Sequence, residues 1–152
     1  MSYECQIIEQ EKQPALSIRT RTAVQDLPAV MGGAYQQIVQ YLGELGEAPA
    51  GAPYGGYFNM DMQDLDVEIG FPVARPLEGK DDIQASSIPG GKQAVCTHIG
   101  PYNAIEPAYN ALTAFMAEQG VEPTGVAYEF HLNDPMVTPP EELETRVVFP
   151  LK

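Results

Sequence analysis

Glu68-Ile69-Gly70-Phe71-Pro72-Val73 and Arg146-Val147-Val148-Phe149-Pro150-Leu151 close two stretches of the chain in the same manner. Working back from these ends, other landmarks recur. Tyr35 and Tyr109 each follow an alanine, and Leu45-Gly46-Glu47-Ala48-Pro49-Ala50-Gly51 answers to Gln119-Gly120-Val121-Glu122-Pro123-Thr124-Gly125. Tyr35 and Tyr109, Pro49 and Pro123, Gly51 and Gly125, and Tyr54 and Tyr128 each lie 74 residues apart; Pro72 and Pro150 lie 78 apart. A constant offset with one short slip signals a duplicated unit, with a first repeat over about 1–75 and a second over about 81–152. The period is longer than the roughly 20–50 residues of solenoid repeats, so this is one internal duplication. Two like units about a pseudo-twofold axis would leave a cleft between them, and small ligands favour clefts.

Hydrophobic periodicity fills in each unit. Tyr3–Gln10 and Ala15–Thr22 read as strands joined at Glu11-Lys12-Gln13-Pro14, with Leu16, Ile18 and Thr20 on one face. Leu27, Val30, Met31, Ala34, Tyr35, Ile38, Leu42 and Leu45 follow at helical spacing. Asp26 is the expected N-cap, Pro28 lies in the first turn and Gly46 is the stop. Tyr54–Met60 and Leu65–Val73 read as a strand pair. After the linker at Ala74–Lys80, strands are expected at Ile83–Ile88 and Lys92–Ile99. An Asn103/Glu106 capping box then opens a helix through Ile105, Ala108, Tyr109, Leu112, Phe115 and Met116 to Gly120. Val126–Leu132 and Leu143–Phe149 close the unit. The expected class is α+β: a single domain over 1–152, with antiparallel strands and one main helix per repeat. The helices should cover one sheet face, and the other face should be concave and open to ligand.

The 152 residues carry 8 basic and 21 acidic side chains, a formal net charge of −13. Such a surface repels phosphate backbones, so no direct nucleic-acid partner is expected. No apolar run approaches the ~20 residues of a membrane span, and the acidic N-terminus lacks the plan of a signal peptide. Cys5 and Cys96 are too few for a disulfide framework or a metal motif, which suits a reducing cytoplasm.

Polar residues inside apolar strands are the candidate chemistry. In Tyr128-Glu129-Phe130-His131-Leu132, the aromatic and leucine positions make a good helix-facing side. Glu129 and His131 would then point to the open face. A mid-strand carboxylate without a nearby positive charge is costly if buried unpaired. By the same parity Glu68 leaves the helix side, beside Asp66. Tyr57 shares the parity of Gly55, the position equivalent to Glu129, and could supply a stacking ring and a hydroxyl. A carboxylate among aromatic faces suits a flat lipophilic cation. The competing reading neutralises the acids with Arg19, Arg21 and Arg146. Cys96 and His98 share a strand face, but no third residue orients them as a nucleophilic pair. Glu129, His131 and His98 imitate a metal trio without the spacing of one, so no metal and no cofactor is expected. Tyr35 and Tyr109 sit on apolar helix stripes and read as core.

His98-Ile99-Gly100-Pro101-Tyr102, Ala108-Tyr109-Asn110-Ala111-Leu112 and Tyr128-Glu129-Phe130-His131-Leu132-Asn133-Asp134-Pro135 are followed by Pro140-Glu141-Glu142-Leu143 and Phe149-Pro150-Leu151. In this order they resemble the GyrI-like small-molecule-binding domain, the effector-binding domain of AraC-type and MerR-type multidrug-responsive regulators. Asp66-Val67-Glu68-Ile69-Gly70-Phe71-Pro72-Val73 fits the same pattern. The resemblance implies a duplicated strand–helix–strand–strand unit with a ligand cleft between the halves, in the stand-alone form without a DNA-binding module. It implies that Glu129 is the pocket glutamate that meets cationic ligands. Three functions follow as expectations. The first is binding of a lipophilic cationic or polyaromatic molecule, anchored by Glu129 with Tyr57, Glu68, His131 and His98 around it. The second is hydrolysis of cyclopropane-bearing electrophilic toxins, with Glu129 and Tyr57 as the catalytic pair. The third is a protein-binding role of the gyrase-inhibitor type. The chain lacks the tryptophan that lines the pocket in some relatives of this kind.

Overall fold

The structure, a computed structural model, describes residues 3–152. Its strands are β1 (Gln6–Gln10), β2 (Gln13–Thr22), β3 (Tyr54–Tyr57), β4 (Leu65–Pro72), β5 (Gln84–Ile88), β6 (Gly91–Ile99), β7 (Ala127–His131) and β8 (Glu144–Pro150). Its helices are α1 (Leu27–Leu45) and α2 (Glu106–Gln119). All the strand pairs described below are antiparallel, so the class is α+β, as the sequence pattern predicts. Among the described residues no helix is long and apolar enough to cross a membrane.

The chain forms two compact units. A contiguous unit, Lys12–Pro89, has strand order β3-β4-β2-β5. A composite unit joins the N-terminal segment through Glu11 to Gly90–Lys152, with order β7-β8-β6-β1. The successive strands β1 and β2 therefore pair within different units: β1 lies against β6, while β2 lies between β4 and β5.

Each unit buries its own core between helix and sheet. In the contiguous unit Ala34, Ile38 and Leu42 of α1 meet Leu16, Ile18, Val67, Ile69 and Phe71. In the composite unit Ala108, Leu112 and Met116 of α2 meet Ala94, Cys96 and Val147. The 3-and-4 spacing read from the sequence is thus the spacing that packs.

Both helices stop where a glycine takes the left-handed conformation, at Gly46 (φ 69°) and Gly120 (φ 68°). Their starts depart from expectation. Asp26 and Ile105 precede the helices in right-handed helical conformation, and neither end carries a side-chain cap. Short 3-10 turns at Val24–Asp26 and Tyr102–Ala104 run into the helices. The extended backbone that lets a cap side chain reach back is therefore missing, and Asn103 with Glu106 does not form a capping box.

Gly32 and Gly33 interrupt α1 on its exposed side, and a Cβ built on either meets nothing within 4 Å. Close packing does not require them. Gly33→Ala should therefore stabilise the protein by about 0.5–1 kcal/mol, read as a higher denaturant midpoint at unchanged slope.

Candidate functional site

Strand register decides which face each polar residue occupies. Glu129 lies opposite Val147, which lies opposite Cys96. Val147 and Cys96 belong to the core beneath α2, so Glu129 faces the helix. Tyr109 on α2 donates its hydroxyl hydrogen bond to Glu129 Oε2, and its ring meets Phe149 edge-on at 5.6 Å. This overturns the expected orientation of β7: Glu129 and His131 share the helix side, and Tyr128 and Phe130 take the other. The two-residue alternation misleads here because part of the face away from α2 is buried as well. Val95, Tyr128 and Val148 on the side away from α2 are each within 5% of full burial. The face away from the helix is not the open surface expected from the pattern.

Burial raises the carboxyl pKa of Glu129, and the Tyr109 hydrogen bond lowers it in part. Among the described residues no lysine or arginine forms an ion pair with it. Arg19 forks onto Asp66 at 2.6 and 2.9 Å, and Arg21 pairs with Asp64 at 3.1 Å. Arg146 is exposed on the opposite face of β8, in register with Phe130 and Thr97. The arginines expected to neutralise the strand acids thus serve Asp64 and Asp66 or face away from Glu129.

Next to Glu129 on the same face stands His131, its ring centroid 5.0 Å from that of Tyr102. Burial pushes its pKa down to about 4, so it is neutral at pH 7. Its Nδ1 and the Oγ1 of Thr145, its cross-strand neighbour, are buried without a hydrogen-bond partner. Tyr102 is held above the usual phenol range by burial, then by the charges of Asp134 and Glu129. Tyr109 and Tyr102 are the site residues that composition and parity did not single out. The signal for Tyr109 was its place on the sheet-facing stripe of α2, which points its hydroxyl at the strands.

The neutral His131 sets an acid limit on stability. The unfolded histidine takes a proton near its ordinary 6.5, but the folded one resists until about 4. Between those values the unfolded state binds more protons, so stability falls as pH drops from about 6.5 to 4. The loss is up to about 3 kcal/mol at 1.36 kcal/mol per pKa unit. Denaturant titrations of wild type and His131→Phe across this range should show the variant losing less.

The other candidates have different surroundings. His98, 3% exposed, accepts at Nδ1 from the Tyr3 hydroxyl at 3.0 Å and donates from Nε2 to the Pro101 carbonyl at 3.0 Å. Both ring nitrogens are engaged, which ties the N-terminal segment to the end of β6. Glu68, in the contiguous unit, leaves the helix side as expected. It is 7% exposed and accepts from the Tyr54 hydroxyl at 2.5 Å. Tyr57 takes the helix side of that sheet, half-buried, with its hydroxyl 4.0 Å from Met31 Sδ. Tyr35 of α1 meets Phe71 edge-on at 5.3 Å and donates to the Tyr54 carbonyl at 3.0 Å. A Cβ at Gly55 would meet Met31 Cε at 3.0 Å and the Tyr57 hydroxyl oxygen at 3.1 Å.

Two units, each with four antiparallel strands, one helix and one tyrosine reaching from helix to strand, make an α+β chain with a half-buried acid, Glu129, in one of them. The chain belongs to the GyrI-like family: the model of the GyrI-like small molecule binding domain matches residues 3–152. No curated protein matches it in sequence. Among solved structures it is similar to the EcmrR C-terminal domain, with TM-score 0.83, 19% identity, and coverage of 100% of this chain and 99% of that one. Against the longer EcmrR chain in its DNA complex it spans 57% of that protein (TM-score 0.80, 18% identity, 99% of this chain covered). A hydrolase from Listeria innocua gives TM-score 0.70 at 14% identity, covering 98% and 92%. SAV2435 bound to tetraphenylphosphonium gives 0.61 at 13%, covering 100% and 94%. At these identities the likeness is one of fold.

Proposed function

We propose that this protein binds a lipophilic cationic or polyaromatic small molecule, with Glu129 as its polar anchor. The observation that carries this reading is a half-buried carboxyl held by a tyrosine hydroxyl, with no lysine or arginine paired to it among the described residues. Burial without a countercharge is unfavourable for the ionised form, and a ligand cation would relieve that cost. The Tyr109 hydroxyl holds the carboxyl, the Tyr102 ring meets the neighbouring His131, and aromatic faces attract cations through their quadrupoles. In the contiguous unit, Tyr57 offers a half-buried ring on the helix-bearing side of its sheet. The bound tetraphenylphosphonium of SAV2435 is a ligand of this chemical type on a similar fold. Calorimetric titration with tetraphenylphosphonium tests the reading; no binding of that or any other aromatic cation at low salt would reject it.

Hydrolysis is the second reading, favoured by the Tyr109–Glu129 pair. A carboxyl with a raised pKa is a stronger base once ionised than an ordinary carboxylate, and a phenol can donate to a developing oxyanion. Incubation with a cyclopropane-bearing alkylator separates the two readings, since a binder leaves its hydrolysis rate at that of buffer.

We also read the units as two copies of one ancestral strand–helix–strand–strand element that have exchanged a first strand. Their matched strand orders and the paired Tyr35–Phe71 and Tyr109–Phe149 contacts support this.

A further inference from the structure

Cys5 and Cys96 are far apart in sequence and meet in the composite unit. Strand β1 runs antiparallel to β6 with Gln6 opposite Val95. One residue further along this register, Cys5 falls opposite Cys96. Directly opposed residues in an antiparallel ladder have Cα atoms about 4.5 or 5.5 Å apart. Both spacings lie inside the roughly 4.4–6.8 Å that a disulfide spans. The side chains also point the same way, because Cys96 lies in the core beneath α2 and Cys5 packs against that core. The Cys5 thiol donates to the Tyr3 carbonyl at 4.0 Å and the Cys96 thiol to the Ala108 carbonyl at 3.8 Å, and both cysteines are free. Cys5 is half-buried, so an oxidant can reach it, whereas Cys96 is buried.

We propose that Cys5 and Cys96 form a dithiol oxidation site, which peroxide- or disulfide-class oxidants convert to a disulfide that staples the N-terminal strand to β6. With hydrogen peroxide, the Cys5 sulfur attacks one peroxide oxygen. The O–O bond breaks and hydroxide leaves, taking up a proton to become water, while Cys5 becomes a sulfenic acid. The Cys96 sulfur then attacks the Cys5 sulfur. The S–O bond breaks, and the Cys96 proton leaves with the departing oxygen as a second water. Two thiols lose two electrons and the peroxide gains two.

Burial raises the Cys5 thiol pKa and pushes that of Cys96 up to about 12. Little thiolate is present at rest, so the site ignores brief exposure and responds to sustained oxidant. Once Cys5 is oxidised, the second step is favoured because the attacking sulfur is already in place. The staple would hold Tyr3, two residues from Cys5, against His98.

The test uses the whole protein, treated with hydrogen peroxide or diamide at pH 8 and then alkylated in denaturant. The expected product is monomeric, about 2 Da lighter, closed to alkylation at both positions, and restored by dithiothreitol. Its peptide map should contain a Cys5–Cys96 cross-link, and amide exchange in β1 should slow at least tenfold. Cys5→Ala, checked for native circular dichroism, should show no mass loss with diamide. Three results would overturn the site. They are alkylatable thiols after treatment that oxidises the urea-unfolded chain, intermolecular dimers as the main product, or Cys5 advancing to sulfinic acid while Cys96 stays reduced.

Discussion

Glu129→Gln should weaken tetraphenylphosphonium binding about 100-fold and leave triphenylphosphine oxide, a neutral relative, within about twofold. The argument is electrostatic. Glutamine keeps the shape of the side chain and still offers Tyr109 a carbonyl acceptor, so the site loses charge without losing form. The four phenyl rings of the ligand would keep its phosphonium centre roughly 5–6 Å from a carboxylate, beyond direct ion-pair contact. At that distance a unit pair at an effective dielectric near 20 is worth roughly 3 kcal/mol, and 2.7 kcal/mol is a factor of about 100. Calorimetry at low salt reads both ligands. An equal loss for the two would mean that the carboxyl acts as an acceptor or a wall, and the charge argument would fail. Stability should move the other way. The folded-state pKa of Glu129 is raised, so its favourable contribution is complete below the unfolded pKa and is lost as pH rises through the folded one. At neutral pH the variant, free of that titration, should unfold at higher denaturant than wild type, and the gap should close on acidification.

The elements were legible in the sequence where periodicity had only one physical meaning. The stripe Ala34, Ile38, Leu42 can be satisfied by a helix and nothing else, and α1 and α2 end at the glycines that the pattern marks. The orientation of β7 was not legible. Tyr128 and Phe130 are more apolar than Glu129 and His131, so alternation assigns them to the core. Apolar residues are buried on both sides at Tyr128, and the ladder with Val147 and Cys96 fixes the face instead. A register of long sequence separation cannot be read from local pattern. Tyr109 shows the same limit. It reads as core and is core, in edge contact with Phe149, yet its one polar atom makes the contact that defines the site. In Glu68 parity gave the right face, but the partner it meets there is a tyrosine, not an arginine. Strand pairing followed no linear reading either, since the successive strands β1 and β2 do not pair with each other and join different units.

Gly70→Ala should be a severely damaging substitution in the contiguous unit, costing about 3–5 kcal/mol. Gly70 lies opposite Tyr54 in the β3–β4 ladder and next but one to Glu68. A Cβ there would sit 2.5 Å from the Leu16 carbonyl oxygen, 2.8 Å from Ser17 Cβ and 3.0 Å from the Tyr54 hydroxyl oxygen. The first contact is with backbone in the middle of the sheet and cannot be relieved by a rotamer. Overpacking of this kind costs about 1–3 kcal/mol. The third contact adds to it, because the Tyr54 ring reaches across Gly70 to place its hydroxyl on Glu68. Displacing the ring leaves a buried carboxyl without its donor, for a further 1–3 kcal/mol or so. Two variants separate the parts. Tyr54→Phe removes the hydroxyl alone and should cost only the hydrogen-bond share. In that background Gly70→Ala should cost less than in wild type, with a coupling above about 0.5 kcal/mol by double-mutant cycle. Additive losses would mean that Gly70 serves only the backbone approach to Leu16 and has no part in seating Tyr54 on Glu68.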